Sequence, residues 1–247
     1  MIAWCWRANG GTTSSNSEGS ITSTVQANTK AGFSIVTYTG NATNGATFGH
    51  GLSAKPSLVF IKNRDASQKW AVWHQSMEQN DNKLLFLNTN AGLTTEGTQR
   101  WDVSAISNSV FGLGSHPEIN GSGADYVAYV WHDVEGFQKF GSYVGNGNAD
   151  GPFIYTGFRP RLIFIKNRDT GGRYWTVIDS ARSTFNLADD IINFDQNIAE
   201  YSSSPRGVDI LSNGFKIRGN DSDNNTSGDI YVYGAWGDVP FKYNNTR

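Results

Sequence analysis

The side chains most able to do chemistry are few and scattered. Four histidines, His50, His74, His116 and His132, and one cysteine, Cys5, are the candidate bases and nucleophiles. None stands in a G-x-S-x-G, H-E-x-x-H or Cys-His arrangement. Cys5 lies in an alternating aromatic stretch and reads as a small buried hydrophobe. Four aspartates, Asp65, Asp125, Asp169 and Asp229, could supply a carboxylate pair for glycoside cleavage, which needs two such groups ~5–10 Å apart. With Arg64 and Arg168 beside two of them, they read more simply as turn residues and surface ion pairs of small worth. In NDSDNNTSGD (Asn220–Asp229), Asp221, Asp223 and Asn225 alternate like the start of a calcium loop. The glycine and glutamate that would complete such a loop are missing, and an Asn/Asp-rich hairpin explains the run equally well. No catalytic residue and no cofactor is assigned on these grounds.

Aromatic side chains could instead stack on sugars. The chain has eight tryptophans. Trp70 with Trp175, and Trp131 with Trp236, recur at matching places and are expected in the core, since both places need the same filling. Trp73 and Trp101 have no aromatic counterpart and are the expected exposed contact residues. Arg159 and Arg161, with Lys166 and Arg168, gather positive charge on one strand. They read as a solvated edge that discourages sheet-to-sheet pairing, with Arg159 and Arg161 as candidate partner contacts.

These residues are positioned by a chain that repeats itself. IKNRD occurs at Ile61–Asp65 and again at Ile165–Asp169, within the longer pair KPSLVFIKNRD and RPRLIFIKNRD. Further blocks match at a near-constant offset of about 105 residues, the signature of internal repetition. SNSVFGLG (Ser107–Gly114) pairs with SNGFKIRG (Ser212–Gly219), and SGADYVAYVW (Ser122–Trp131) with SGDIYVYGAW (Ser227–Trp236). The expected organisation is an N-terminal strand plus a Ser/Thr/Asn/Gly-rich segment over 1–32, a first repeat over 33–139 and a second over 140–247. IAWCWRANGG (Ile2–Gly11) resembles the closing strand of each repeat, and SITSTVQ alternates enough for an edge strand.

Each repeat reads as a series of short strands. Ser57–Lys62 and Arg161–Lys166 are continuous apolar runs that fit strands covered on both faces, and NRD stops each of them. Trp70–His74 and Tyr174–Asp179 follow as hairpin partners, and Tyr126–Trp131 and Tyr231–Trp236 close the units. High Gly (28), 13% aromatic and 38% apolar content suit strands joined by many turns. The predicted class is all-β: two tandem antiparallel β-sandwich or jelly-roll-like modules related by internal duplication. Basic and acidic residues number 20 and 22 and are well mixed, so phosphate-backbone binding has no electrostatic footprint. No apolar run approaches the ~20 residues of a membrane helix, so neither nucleic acid nor membrane insertion is expected.

FSIVTYTGN (Phe33–Asn41), HGL (His50–Leu52), KPSLVFIKNRD, the stretch Tyr126–Asp169, ILSNGFKIR (Ile210–Arg218) and PFKYNNTR (Pro240–Arg247) resemble a repeated domain of tailed, particularly marine, bacteriophages. The chain is similar to the C-terminal region of their tail-fibre-like virion proteins. The resemblance covers nearly the whole chain and brings no catalytic or binding residues with it. It implies a virion structural protein made in the host cytoplasm, most simply a tail-fibre or tail-tip component. Its expected partners are copies of itself (a trimer favoured), other virion proteins and a host-surface glycan or protein. A capsid decoration or head-fibre protein is the alternative, and a polysaccharide-cleaving depolymerase the second alternative.

Overall fold

The computed structural model describes residues 3–77, 80–95 and 97–238. The phrase PFKYNNTR and the last residues of the second repeat lie outside the described residues. The chain divides into two units: Met1–Leu84 with Thr94–Asp133, and Leu85–Leu93 with Val134–Arg247. The first 32 residues thus belong with unit 1, and a nine-residue segment from the first half of the chain belongs with unit 2.

Unit 1 contains β1 (Ser14–Asn16), β2 (Ser23–Asn28), β3 (Phe33–Thr39), β4 (Ala46–Gly49), β5 (Leu58–Asn63) and β6 (Ala71–His74). Next come β7 (Lys83–Phe86), whose last two residues fall in unit 2, β8 (Thr94–Thr95), β9 (Val110–Leu113), the short helix α1 (Pro117–Asn120) and β10 (Asp125–Trp131). The main sheet runs β1-β2-β3-β10-β5-β6-β7-β8, and β4 pairs with β9 in a second sheet. Unit 2 contains β11 (Gln138–Val144), β12 (Phe153–Tyr155), β13 (Leu162–Asn167), β14 (Thr176–Asp179), β15 (Asp190–Asn193), β16 (Tyr201–Ser202), β17 (Val208–Leu211), β18 (Gly214–Ile217) and β19 (Ile230–Trp236). Its main sheet runs β11-β19-β13-β14-β15-β16, and β12-β18-β17 form the second. The strand pairs whose register is described are antiparallel. The protein is all-β, in antiparallel sheets that face each other across apolar cores.

The sequence pattern accounts for the central strands. β5 lies between β10 and β6, and β13 between β19 and β14, so both runs are covered by neighbours on each edge. The Asn that ends each run turns the chain: Asn63 Oδ1 accepts the N–H groups of Asp65 and Ala66, and Asn167 Oδ1 those of Asp169 and Thr170. In unit 2 the two sheets share one core, with Ile163, Ile165, Tyr231 and Tyr233 of the larger against Ile154, Phe215 and Ile210 of the smaller. In unit 1 Phe111 of β9 plays the central part, meeting Phe48, Trp73 and Trp101.

Three expectations change at the N-terminus. β2 is not an edge strand: β1 pairs on its outer side. The stretch from Ala3 to Gly11 forms no strand; it is held beside β2 by side chains, Asn28 Nδ2 donating to Arg7 O and Gln26 Nε2 to Gly11 O. Cys5 is exposed there, since nothing pairs across it to bury the thiol.

Candidate functional site

The most elaborate polar arrangement in each unit is a tyrosine–asparagine network. In unit 1 the Tyr126 hydroxyl donates to Pro117 O at 2.6 Å and accepts from Gly121 N (2.6 Å) and Asn63 Nδ2 (3.1 Å). Tyr38 stacks on it with ring centres 5.1 Å apart and donates to Ile119 O at 2.6 Å. In unit 2 the Tyr231 hydroxyl donates to Ser222 O (2.9 Å) and accepts from Thr226 N (2.7 Å) and Asn167 Nδ2 (3.1 Å). Tyr143 stacks on it at 5.1 Å and donates to Asn224 O at 2.7 Å. Burial, and then the neighbouring tyrosine, pushes the Tyr38 and Tyr143 hydroxyls well above the ordinary phenol range, which keeps them donors. The arrangement fixes loops; it leaves no hydroxyl poised for a substrate. Sequence reading treated these tyrosines as strand residues, although their recurrence beside the recurring asparagines was a usable signal.

The aspartates are drawn into the same work. Asp65 Oδ2 accepts the Asp125 N–H and Asp169 Oδ2 the Ile230 N–H, each at 2.7 Å. Asp125 accepts from the Thr39 hydroxyl, and Asp229 from Asn167 Nδ2 and the Thr170 hydroxyl. Each therefore ties one strand end to the next. The histidines behave similarly. His50, His74 and His116 accept the N–H of Leu52, Ser76 and Glu118 at Nδ1. Burial lowers His50 to about 4, against which its hydrogen bond to Ser107 O pulls upward.

The calcium reading of Asp221, Asp223 and Asn225 is corrected by a cation that the chain supplies itself. The Arg206 guanidinium pairs with Asp221 (3.1 Å) and with Asp223 Oδ2. Asp223 also accepts the Tyr174 N–H, and Asp221 Oδ1 accepts the Asp223 N–H. The Asn225 side chain is buried and fully engaged, its nitrogen donating to Gly219 O (2.8 Å) and Asn148 O (2.7 Å) and its oxygen accepting the Asn146 N–H (2.8 Å). Among the described residues no group of three or more His, Cys, Asp or Glu could hold a metal ion.

Both contact tryptophans are also corrected. Trp73 is 1% exposed and Trp101 is fully buried, each meeting Phe111 edge-on. Trp101 Nε1 donates to Lys83 O at 2.8 Å. Trp175, Trp131 and Trp236 are buried as expected, whereas Trp70 is half-buried. The basic strand is not a solvated edge, because β13 has neighbours on both sides and Lys166 is fully buried. Arg159 and Arg161 are half-buried, with Arg161 paired to Asp238 at 2.7 Å.

Lys166 is the least conventional charge in the protein. Its Nζ donates to Arg173 O and stands 5.9 Å from the Trp175 ring centre. Burial lowers it to about 8, while Asp195 and then Asp223 pull upward. Its folded value lies below its unfolded one, so its contribution to stability is complete above about 10.5 and is lost as pH falls through about 8. The lysine's own contribution is therefore expected to rise from pH 8 towards 10, by up to about 3 kcal/mol for a shift of this size. Lys166→Met should flatten that rise in urea titrations at successive pH values. An unchanged slope would refute this account of the lysine.

Unit 2 gathers several further contacts through its borrowed segment. Trp175 Nε1 donates to Phe86 O (2.8 Å), Leu93 N to Arg168 O (2.5 Å) and Gly172 N to Asn90 O (2.8 Å). The large apolar side chains that stay exposed among the described residues, Val144, Phe153, Tyr155, Phe185 and Ile198, all belong to this unit. Among the described residues no helix is long and apolar enough to cross a membrane.

A domain-family model described as a domain of unknown function, DUF7483, matches residues 1–240, and the chain belongs to that family. No curated protein and no solved structure matches it.

Proposed function

We propose that the protein is a structural and binding component of a phage virion, a tail-fibre or tail-tip protein that assembles with copies of itself. The observation that carries the binding part is the division of labour among its side chains. The recurring Asn, Tyr and Asp residues hold strand ends and loops, whereas exposed Phe153, Tyr155 and Phe185 have no such duty in the fold. Neighbouring exposed aromatics such as Phe153 and Tyr155, two residues apart on one strand, make the contiguous kind of apolar surface that marks an interaction site. The virion part rests on the likeness to tail-fibre-like proteins.

We read the two units as copies of one module. In both, the same strand order meets the same tyrosine hydroxyl network, and the second sheet places Phe48 against Phe111 in one and Ile154 against Phe215 in the other. A capsid-bound role would use the same surfaces. Sedimentation of the purified chain is expected to show a multimer, a trimer first of all. A monomer at roughly micromolar concentration, where only complexes with dissociation constants above about that value come apart, would overturn the assembly reading. Gold-labelled antibody on phage particles should mark the tail; label confined to the head would move the protein to the capsid.

A further inference from the structure

One edge is treated differently in the two units. In unit 1 the outer side of β4 is covered by the chain itself. Ile21 bridges Phe48, with Ile21 N donating to Thr47 O at 2.9 Å, and Ser23 Oγ donates to Gly49 O at 2.8 Å. The covering segment needs small residues here. A Cβ on Gly49 would fall 1.9 Å from Asn16 Oδ1, and one on Gly19 2.4 Å from Thr47 O. In unit 2 the matching strand is β12, placed by Ile154 opposite Phe215 as Phe48 is opposite Phe111. Phe153 stands where Thr47 does and Tyr155 where Gly49 does. They are 46% and 65% exposed, while Ile154 between them is buried.

Among the described residues no segment covers β12 in this way, and the connection supplies the reason. In unit 1, β1 and β2 precede the first long strand. In unit 2 a tight turn, with Gln138 N donating to Val134 O at 2.9 Å, leads straight into β11. A strand from elsewhere cannot seat as in unit 1, because the Tyr155 side chain fills the slot that Gly49 leaves open. The aromatic pair is instead supported from beneath. The Phe153 ring comes within 3.1 Å of the place a Cβ would take on Gly214, and the Tyr155 ring within 3.8 Å of that on Gly157. Residues two apart on a strand share a face and stand about 7 Å from each other, so the rings form a two-step apolar ledge.

The rim of the ledge is polar and balanced. Lys216 lies opposite Phe153 in the ladder and Asp209 opposite Lys216. Asp150 pairs with Lys216 at 3.0 Å and with Arg218 at 3.7 Å, and Arg218 pairs with Asp209 at 3.4 Å. Two carboxylates offset two cations, so a polyanion gains nothing here, whereas hydroxyl groups find both donors and acceptors. We infer that this face of unit 2 binds a neutral, hydroxylated oligosaccharide, with Phe153 and Tyr155 stacking on successive sugar rings and the charged rim bonding their hydroxyls. The inference stands on the geometry of unit 2 and does not need the virion reading.

The test is calorimetric titration of the full chain with neutral oligosaccharides of glucose, mannose, galactose and N-acetylglucosamine, with a single-stranded oligonucleotide run beside them. At least one sugar should bind with a dissociation constant of about 0.1–5 mM, a range typical of a few stacked rings. Phe153→Ala and Tyr155→Ala should each weaken it roughly tenfold, about 1.4 kcal/mol. Tyr155→Phe should retain the stacking, and Phe185→Ala, on a loop that meets the opposite edge of the sheet through Asn186 and Ile210, should change nothing. Unchanged melting of the two alanine variants would show that they fold. No sugar binding up to about 10 mM, binding that survives the double variant, or tighter binding of the oligonucleotide would each overturn the inference. So would a double variant that loses self-association in place of sugar binding, since the ledge would then be a contact between copies. Failure of the sugar titration with a multimer intact would leave the assembly proposal standing.

Discussion

Trp101→Ala is expected to destabilise the protein by about 3–5 kcal/mol, the usual cost of emptying a large aromatic site in a core. The indole is fully buried and lies edge-on to Phe111 at 5.7 Å, with the planes 77° apart. Phe111 also receives Trp73 at 5.6 Å and Phe48 at 5.6 Å, so the vacated space opens at the point where the unit 1 rings converge. Part of the cost is polar, because Trp101 Nε1 donates to the Lys83 carbonyl at the start of β7. Trp101→Phe should separate the two contributions. It keeps a ring against Phe111 and forfeits the N–H, so a loss of about 1–2 kcal/mol is expected from it. The readout is the urea midpoint at constant slope. If the two units unfold in separate steps, the loss should be confined to one of them. A change below about 0.5 kcal/mol for Trp101→Ala is what a surface position gives, and it would return the residue to a contact role.

The strands themselves are legible in the sequence: Tyr126–Trp131 and Tyr231–Trp236 lie within one residue of β10 and β19, and the apolar runs that lead into the two NRD turns end within one residue of β5 and β13. Period and turn chemistry are local, and the bonds of Asn63 and Asn167 to the next residues are as local as bonds can be. The short strands β4 and β12 were missed because three or four residues between glycines carry too little pattern.

Burial of single aromatics was judged by whether the other repeat had one too, and this failed for a physical reason. A core needs total volume, which the units supply from different positions. Trp73 in unit 1 and Ile178 in unit 2, which the sequence match sets at equivalent positions, are both buried. The reverse error concealed Phe153 and Tyr155. They sit in β12 with an ordinary alternating pattern, and among the described residues no segment covers them as residues 14–23 cover β4. Coverage by a distant part of the chain has no local signature. The calcium reading failed in the same way, since spacing shows where carboxylates fall and not which cation reaches them.

The second large effect is expected at that cation. Arg206→Leu should cost about 3–5 kcal/mol at neutral pH, because removing one partner strands a buried charge. Asp223 is 2% exposed and Arg206 is its ion-pair partner; Arg206 also holds Asp221 and donates to the Tyr201 hydroxyl at 2.5 Å. Burial already pushes the Asp223 carboxyl above the ordinary range, against the pull of Arg206. Without the arginine it should rise further, so that folding favours the protonated acid. For a carboxyl whose folded value is raised, the stability it contributes is present below its unfolded value and lost as pH rises through the folded one. The deficit of Arg206→Leu should therefore be largest near pH 7 and should shrink steadily as pH falls towards 4. The double variant Arg206→Leu/Asp223→Asn, which removes the stranded charge, should recover much of the loss at neutral pH and abolish its pH dependence. A constant deficit at every pH would mean that Arg206 acts through packing on Tyr201, whose ring centre is 5.8 Å away, and that the carboxylates of this loop are neutralised by something other than the guanidinium.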